Sequence, residues 1–288
     1  MYFNKRFSRA VWAVSSSVTL LVLILIILQG QYRPIAPYII PINMRVNNAI
    51  LLCILIMITP PAIIELNNTR WHQGVEKNIP RLMMDITESI RSGMPMVKAL
   101  EVASTRDYGP ISQILETTVV NYNLTSDLDK SLKWFGDSLL CSSGKRMANI
   151  LMEAFKSGGR MMDVLDTSIN MFTNIDEYRE EKQSNITPYI LLVYVSTLIF
   201  LFIGWVIISQ FLGPLVAKST TQAGATAITG QMLDINYYKS IIYWAAIMEG
   251  LVGGLVAGKI TNSKIASGLI HSVILLVIAF GFYAIFLP

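Results

Sequence analysis

Five runs of this chain are long and apolar enough to cross a bilayer: residues 10–28, 46–64, 186–211, 241–258 and 265–287. A spanning helix needs roughly 20 mostly apolar residues, because lipid offers no partner to an unpaired backbone group. Only 15% of the residues are charged, against about 25% in soluble domains, and the mean hydropathy is +0.50. The one long interruption lies between Glu65 and Lys182, where charge density rises and no such run occurs. The expected class is therefore all-α: a polytopic membrane protein with about five transmembrane helices and one inserted helical bundle of about six helices. The expected domains are residues 1–64 with two N-terminal spans, 65–185 with the bundle, and 186–288 with three C-terminal spans and an external loop at 212–240.

Lys5, Arg6 and Arg9 precede the first run as in a secretory signal. The run is longer than a signal core and leads into Gln29-Gly30-Gln31 rather than a small-x-small site, so it is expected to stay as a span. Pro60-Pro61 is expected to kink or end the second span, and Pro188 to lie in the first turn of the third. Cys53 falls in an apolar run and Cys141 in the polar domain, so no disulfide is expected.

Inside the bundle, Pro80 is read as opening a helix that stops at Gly93, Pro95 one that stops near Tyr108-Gly109, and Pro110 a third. Ser126 with Asp129 reads as an acidic variant of the capping box before Leu128, Leu132 and Phe135. Ser142-Ser143-Gly144 separates that helix from one beginning at Lys145, which Gly158-Gly159 caps. The last helix carries Met161, Leu165, Ile169 and Phe172 on one face. Residues 81–101 written over 146–166 without a gap align Arg81 with Arg146, Glu88 with Glu153, Ser92-Gly93 with Ser157-Gly158, Met96 with Met161 and Leu100 with Leu165. Two related hairpins in one bundle are expected from that echo.

With the N-terminus inside, Lys5, Arg6, Arg9, Lys259 and Lys264 face the cytoplasm together with the bundle, and Arg33, Arg45, Lys218 and Lys239 stay outside. The expected location is the cytoplasmic membrane, with the N-terminus cytoplasmic and the C-terminus external. The bundle then carries 14 basic and 17 acidic residues, which gives no field to attract nucleic acid.

No catalytic chemistry is legible. Ser143-Gly144-Lys145-Arg146 lacks the glycine spacing and the hydroxyl of a phosphate loop, and His72 and His271 do not stand at zinc-ligand spacing. No cofactor or metal is expected, and nucleotide energy has to come from a partner. Glu249 stands near the middle of the fourth span, where an unpaired carboxylate costs about 3 kcal/mol or more. His271, at nearly the same depth in the fifth span, is a plausible partner; the alternative is a protonated Glu249 bonded to nearby backbone. Ala246, Gly250, Gly254 and Gly258, ending beside Lys259, repeat every four residues and let another helix approach closely, from this chain or from a second copy.

The twin Ser-Gly hairpins resemble the cytoplasmic bundle of the type II secretion system F family, the membrane platform proteins of type IV pili, type II secretion, archaella and tight-adherence machines. Gly258-Lys259-Ile260 followed by Ile265-Ala266-Ser267-Gly268-Leu269-Ile270-His271 resembles the closing hairpin of its archaeal branch. Bacterial members usually carry Gly-Glu shortly before the Ser-Gly turn, where this chain has Ala154-Phe155, which favours the archaeal or tight-adherence branches. The resemblance implies a non-enzymatic scaffold that docks a hexameric secretion or assembly ATPase and passes its motion to pilin subunits. Many archaeal members carry two such bundles, so a homodimer, or pairing with a second platform subunit, would restore the count. Arg91, Lys98, Lys156, Arg160 and Asp163 are then the candidate ATPase contacts, presented by turns at Gly93, Gly158 and Gly159. A small-solute transporter or a membrane sensor are the rival readings, but a transporter's repeat is expected in its spans, and no receiver or catalytic signature of a sensor is present.

Overall fold

A computed structural model describes residues 5–28, 40–214 and 235–286. The described residues form nine α-helices and no strand: α1 Lys5–Leu28, α2 Met44–Arg91, α3 Met96–Ser104, α4 Ser112–Thr125, α5 Leu128–Ser138, α6 Ser142–Ser157, α7 Met161–Val206, α8 Ile235–Asn262 and α9 Leu269–Phe286. Segments long and apolar enough to span a membrane lie within Arg6–Ile26, Met44–Arg91, Ser142–Leu212, Asn236–Asn262 and Ile265–Phe286. The chain is an all-α, multi-pass membrane protein. Most of the expected external loop, residues 215–234, lies outside the described residues, as do Gln29-Gly30-Gln31, Arg33 and Lys218.

Two compact units are present. Asn67–Asn185 form the helical bundle, and the spans up to Leu66 and from Ile186 form the membrane unit. The bundle has one continuous core: Ile79, Leu82, Met83 and Ile86 of α2, Leu100 of α3, Leu115 of α4, Leu132 and Phe135 of α5, Met147 and Leu151 of α6, and Leu165 and Phe172 of α7. The membrane unit is built around Leu51, Leu201, Tyr243, Ile247, Leu276 and Tyr283.

Prolines do not divide the helices where their local rule predicts. α2 runs unbroken through Pro60-Pro61 and Pro80, and Pro188 lies inside α7. An internal proline costs about 3 kcal/mol. Across Pro80 that cost is opposed by Val75, Ile79, Leu82, Met83 and Ile86, all fully buried on one helical stripe and each contributing about 1.5–3 kcal/mol. In spanning helices, neighbouring groups take up the freed carbonyls.

Two helix starts also differ from expectation. Ser126 adopts a left-handed φ of 55° and ends α4. The cap of α5 is Asp127, whose carboxylate accepts the Lys130 N–H at 3.0 Å. α6 begins at Ser142, three residues ahead of Lys145, because the Cys141 thiol accepts the Gly144 N–H at 3.2 Å. Asp127→Ala is expected to cost about 1 kcal/mol, whereas Ser126→Gly, which relieves the left-handed backbone, is expected to be neutral or stabilising. Thermal unfolding of the purified chain in detergent reads both.

Candidate functional site

The up-and-down succession of bundle helices brings the turns between α2 and α3, α4 and α5, and α6 and α7 to one end. Two ion pairs tie that end together: Arg91 to Asp166 at 2.6 Å and Lys156 to Asp129 at 3.0 Å. At the first turn Gly93 has φ +93°, its N–H reaching the Ile90 carbonyl at 2.9 Å and that of Met94 reaching Ser89 at 3.2 Å. Gly158 has φ 54° with ψ −103°, a conformation that side chains disfavour. A methyl placed on Gly93, Gly158 or Gly159 would meet nothing within 4 Å. Backbone conformation accounts for glycine at the first two, and the surface around all three is open.

The five candidate contacts divide into two groups. Arg91, Lys98 and Lys156 are each engaged in exposed ion pairs, with Asp166, Glu101 and Asp129, worth about 0–1 kcal/mol apiece. Arg160 and Asp163 are exposed and make no ion pair among the described residues. The same end carries exposed apolar side chains that the charge pattern did not single out: Met94, Leu124 and Phe155, with Leu124 79% exposed. Burial follows the sequence echo, since Leu82 and Met147, Met83 and Ala148, Ile86 and Leu151, and Leu100 and Leu165 are buried at paired positions. The ion pairs do not follow it. Arg91 bonds Asp166 of the other hairpin, while its aligned residue Lys156 takes Asp129 rather than Glu101.

A polar cluster that sequence reading missed braces the bundle. The buried Tyr108 hydroxyl donates to Asp85 Oδ2 at 2.5 Å, Arg106 Nη1 approaches the same oxygen at 2.9 Å, and the Arg81 guanidinium stands 5.7 Å from the Tyr108 ring centre. Burial pushes the Asp85 carboxyl up, but the hydrogen bonds from Tyr108 and Arg106 outweigh it and hold the group below its ordinary value. Tyr108 is pushed up to about 12, first by burial and then by its bond to Asp85. A second cluster joins α2, α6 and α7: Arg179 pairs with Glu76 at 3.1 Å, and Ser143 Oγ donates to Glu76 at 3.3 Å.

In the membrane unit the proposed Glu249–His271 pair is not made. Glu249 Oε1 accepts a hydrogen bond from Ser196 Oγ at 3.0 Å, and His271 Nδ1 shares one with the Tyr194 hydroxyl at 2.9 Å. Both partners lie on α7, which therefore meets each of the two polar residues separately. The small-residue face of α8 packs within the chain: methyl groups on Gly254 and Gly258 would overlap the backbone of Ser272 and Gly268, whereas one on Gly250 would sit 3.5 Å from Leu275 Cβ. Lys259 Nζ donates to the Ser263 carbonyl at 3.1 Å in the turn that follows. At another level Asn47, fully buried, donates to the Pro41 carbonyl at 2.9 Å and to Ser240 Oγ at 3.1 Å, and accepts from Trp244 Nε1–H at 3.0 Å. Tyr243 donates to Asn48 at 2.7 Å. These asparagines were not singled out in the sequence because polar residues at a span end read as interfacial.

Comparison with known proteins adds a family to this geometry. The uncharacterized protein MJ1286 of Methanocaldococcus jannaschii is 24% identical over 229 residues, 75% of this chain and 35% of that protein. The chain thus spans about a third of the length of this relative. No solved structure matches it. Residues 84–209 match the family model described as type II secretion system (T2SS), protein F. That segment takes in the end of α2 and all of α3 to α7, and over it the chain is similar to the type II secretion system protein F family.

Proposed function

We propose that this chain is the membrane platform of a type IV pilus-like assembly machine. The bundle docks a hexameric assembly ATPase on the cytoplasmic side and passes its motion to pilin extraction and filament growth. The chain acts as a scaffold rather than an enzyme, in a cytoplasmic membrane with its N-terminus inside. It works as a homodimer or with a second platform subunit. The observation that carries this reading is the placement of a secretion-family bundle in the chain between spanning helices, with charged and apolar side chains gathered at its turn end. A bundle of that kind acts by contact.

Arg160 and Asp163 are the informative positions, because substituting them breaks no ion pair among the described residues. Arg160→Glu combined with Asp163→Lys is expected to lower co-purification of the assembly ATPase from the native membrane by about tenfold, the effect of losing roughly 1.4 kcal/mol of contact. The unfolding temperature is expected to stay unchanged. Undiminished co-purification would remove this turn from the contact surface.

A further inference from the structure

Within the membrane unit the span of α7 is seated unevenly. Its outer half is held in the core: Thr197, Leu201 and Gly204 are buried on one helical stripe, and a methyl on Gly204 would come within 2.7 Å of Ile242 Cγ2 on α8. None of residues 186–196 is buried. The stripe continues there through Ile190, Val193 and Tyr194, which are only half-buried. Two side-chain hydrogen bonds tie this inner half to the α8–α9 hairpin. Ser196 Oγ donates to Glu249 Oε1 of α8 at 3.0 Å, and the Tyr194 hydroxyl shares a hydrogen with His271 Nδ1 of α9 at 2.9 Å. Tyr194 and Ser196 point about 200° apart around the helix axis, so the ties grip two sides of α7.

That grip is incomplete. Glu249 Oε2 is buried without a hydrogen-bond partner, and an oxygen left so raises the free energy of the seated arrangement. Side-chain hydrogen bonds between spanning helices are individually weak, because the released groups find other partners. The hairpin itself cannot give way as easily. Gly254 and Gly258 bring α8 against the backbone of Ser272 and Gly268, and Ser272 Oγ donates to the Leu251 carbonyl at 2.9 Å. α7, by contrast, has a bending point at each limit of its inner half. Pro188 lies inside the helix and lacks the N–H of a helical bond. Thr197 Oγ1 donates to the Val193 carbonyl at 3.2 Å, a back-bond of the kind that bends helices. Thr197 is also where burial begins.

We propose that residues 188–196 of α7 form a hinged arm, latched to the α8–α9 hairpin by Ser196–Glu249 and Tyr194–His271. When those bonds are released, the arm swings from the hairpin about Thr197 while the outer half of α7 stays in the core. α7 is one helix from Met161 to Val206, so under the platform reading this arm is where a pull on the bundle enters the spans. The latch itself stands whether or not an ATPase supplies that pull.

The test follows disulfide formation in the full chain, in phosphatidylcholine vesicles, at two cysteine pairs. A Cβ on Gly253 would lie 3.2 Å from Val193 Cγ1, and one on Gly204 2.7 Å from Ile242 Cγ2, so both sites are within disulfide reach. Val193→Cys with Gly253→Cys reads the arm, and Gly204→Cys with Ile242→Cys reads the outer half. Cys53 and Cys141 are buried, and the chain without introduced cysteines gives the background. Tyr194→Phe combined with Ser196→Ala removes both ties. It is expected to slow cross-linking of the arm pair by about tenfold, the effect of roughly 1.4 kcal/mol, and to leave the outer pair unchanged. Ser196→Ala alone removes one exposed hydroxyl and leaves the core untouched, so it tests the latch without threatening the fold; about threefold slowing of the arm pair is expected. An arm pair that cross-links at the same rate with and without the ties would overturn the proposal. So would an equal slowing of both pairs, which would show α7 moving as one rigid span.

Discussion

Gly258→Ala is expected to break apart the α8–α9 hairpin, while Gly250→Ala, two turns earlier on the same face, leaves it intact. A methyl on Gly258 would overlap the N and Cα atoms of Gly268, and one on Gly254 would overlap those of Ser272. Backbone cannot rotate aside as a side chain can, so the helices must separate. A methyl on Gly250 would find Leu275 Cβ at 3.5 Å, an ordinary contact. Between spanning helices there is little hydrophobic drive to re-form the interface, which depends on packing and hydrogen bonds. Separation would also strain the bond from Ser272 Oγ to the Leu251 carbonyl, 2.9 Å long. The expected loss is about 3 kcal/mol or more at Gly258 and Gly254, the upper range for overpacking, and close to none at Gly250. Unfolding midpoints in detergent decide the matter; equal midpoints for Gly258→Ala and Gly250→Ala would contradict the close approach.

The contrast also shows how far the sequence could be read. A four-residue repeat of small residues announces that a helix comes close, but it gives Ala246, Gly250, Gly254 and Gly258 equal weight. Which of them touches backbone depends on the crossing point, and that is set by residues 267–272 of the next element. The spans were legible because hydrocarbon leaves a backbone little choice other than a helix, and the turns because Gly93 and Gly158 adopt positive φ. Polar pairings were not legible. Glu249 and His271 stand at similar depth, yet each faces α7, where Ser196 and Tyr194 lie two residues apart and so point about 200° from one another around the helix axis. Arg91 likewise finds Asp166 at a distance in sequence of 75 residues.

Local rules failed where burial opposed them. Pro80 carries a strong helix-start signal, and five fully buried side chains in a stripe on both sides of it keep α2 continuous. Cys141 was passed over as a cap because thiols are outside the usual set of capping groups, although its position before Ser142-Ser143-Gly144 is that of a cap. The Asp85, Arg106 and Tyr108 cluster escaped notice for a related reason. Arg106 and Asp107 precede Tyr108 in what reads as the end of the helix opened by Pro95; that helix stops earlier, at Ser104, and the tertiary fold turns the tyrosine inward to full burial.

Tyr108→Ala is accordingly expected to be the most damaging single truncation among the bundle residues outside its helices, at about 3–5 kcal/mol, because it empties a large buried site. Tyr108→Phe keeps the ring against Arg81 and loses only the hydroxyl, so about 1–2 kcal/mol is expected. The two ends of the pH scale separate the contributions. The folded Asp85 carboxyl titrates below its unfolded value, so the stability it confers is full above about pH 4 and is lost as pH falls through the lower folded value. Tyr108 titrates in the opposite sense. Its folded value of about 12 exceeds the unfolded value near 10, so the folded state holds the proton longer. That stability is complete below about pH 10 and declines as pH rises toward 12. Other tyrosines also ionise there, so the informative quantity is the difference between the full chain and its Tyr108→Phe variant, followed by thermal unfolding in detergent. The variant is expected to lose stability less steeply above pH 10. Parallel alkaline slopes would show that the folded bundle does not hold the Tyr108 proton beyond the ordinary tyrosine range.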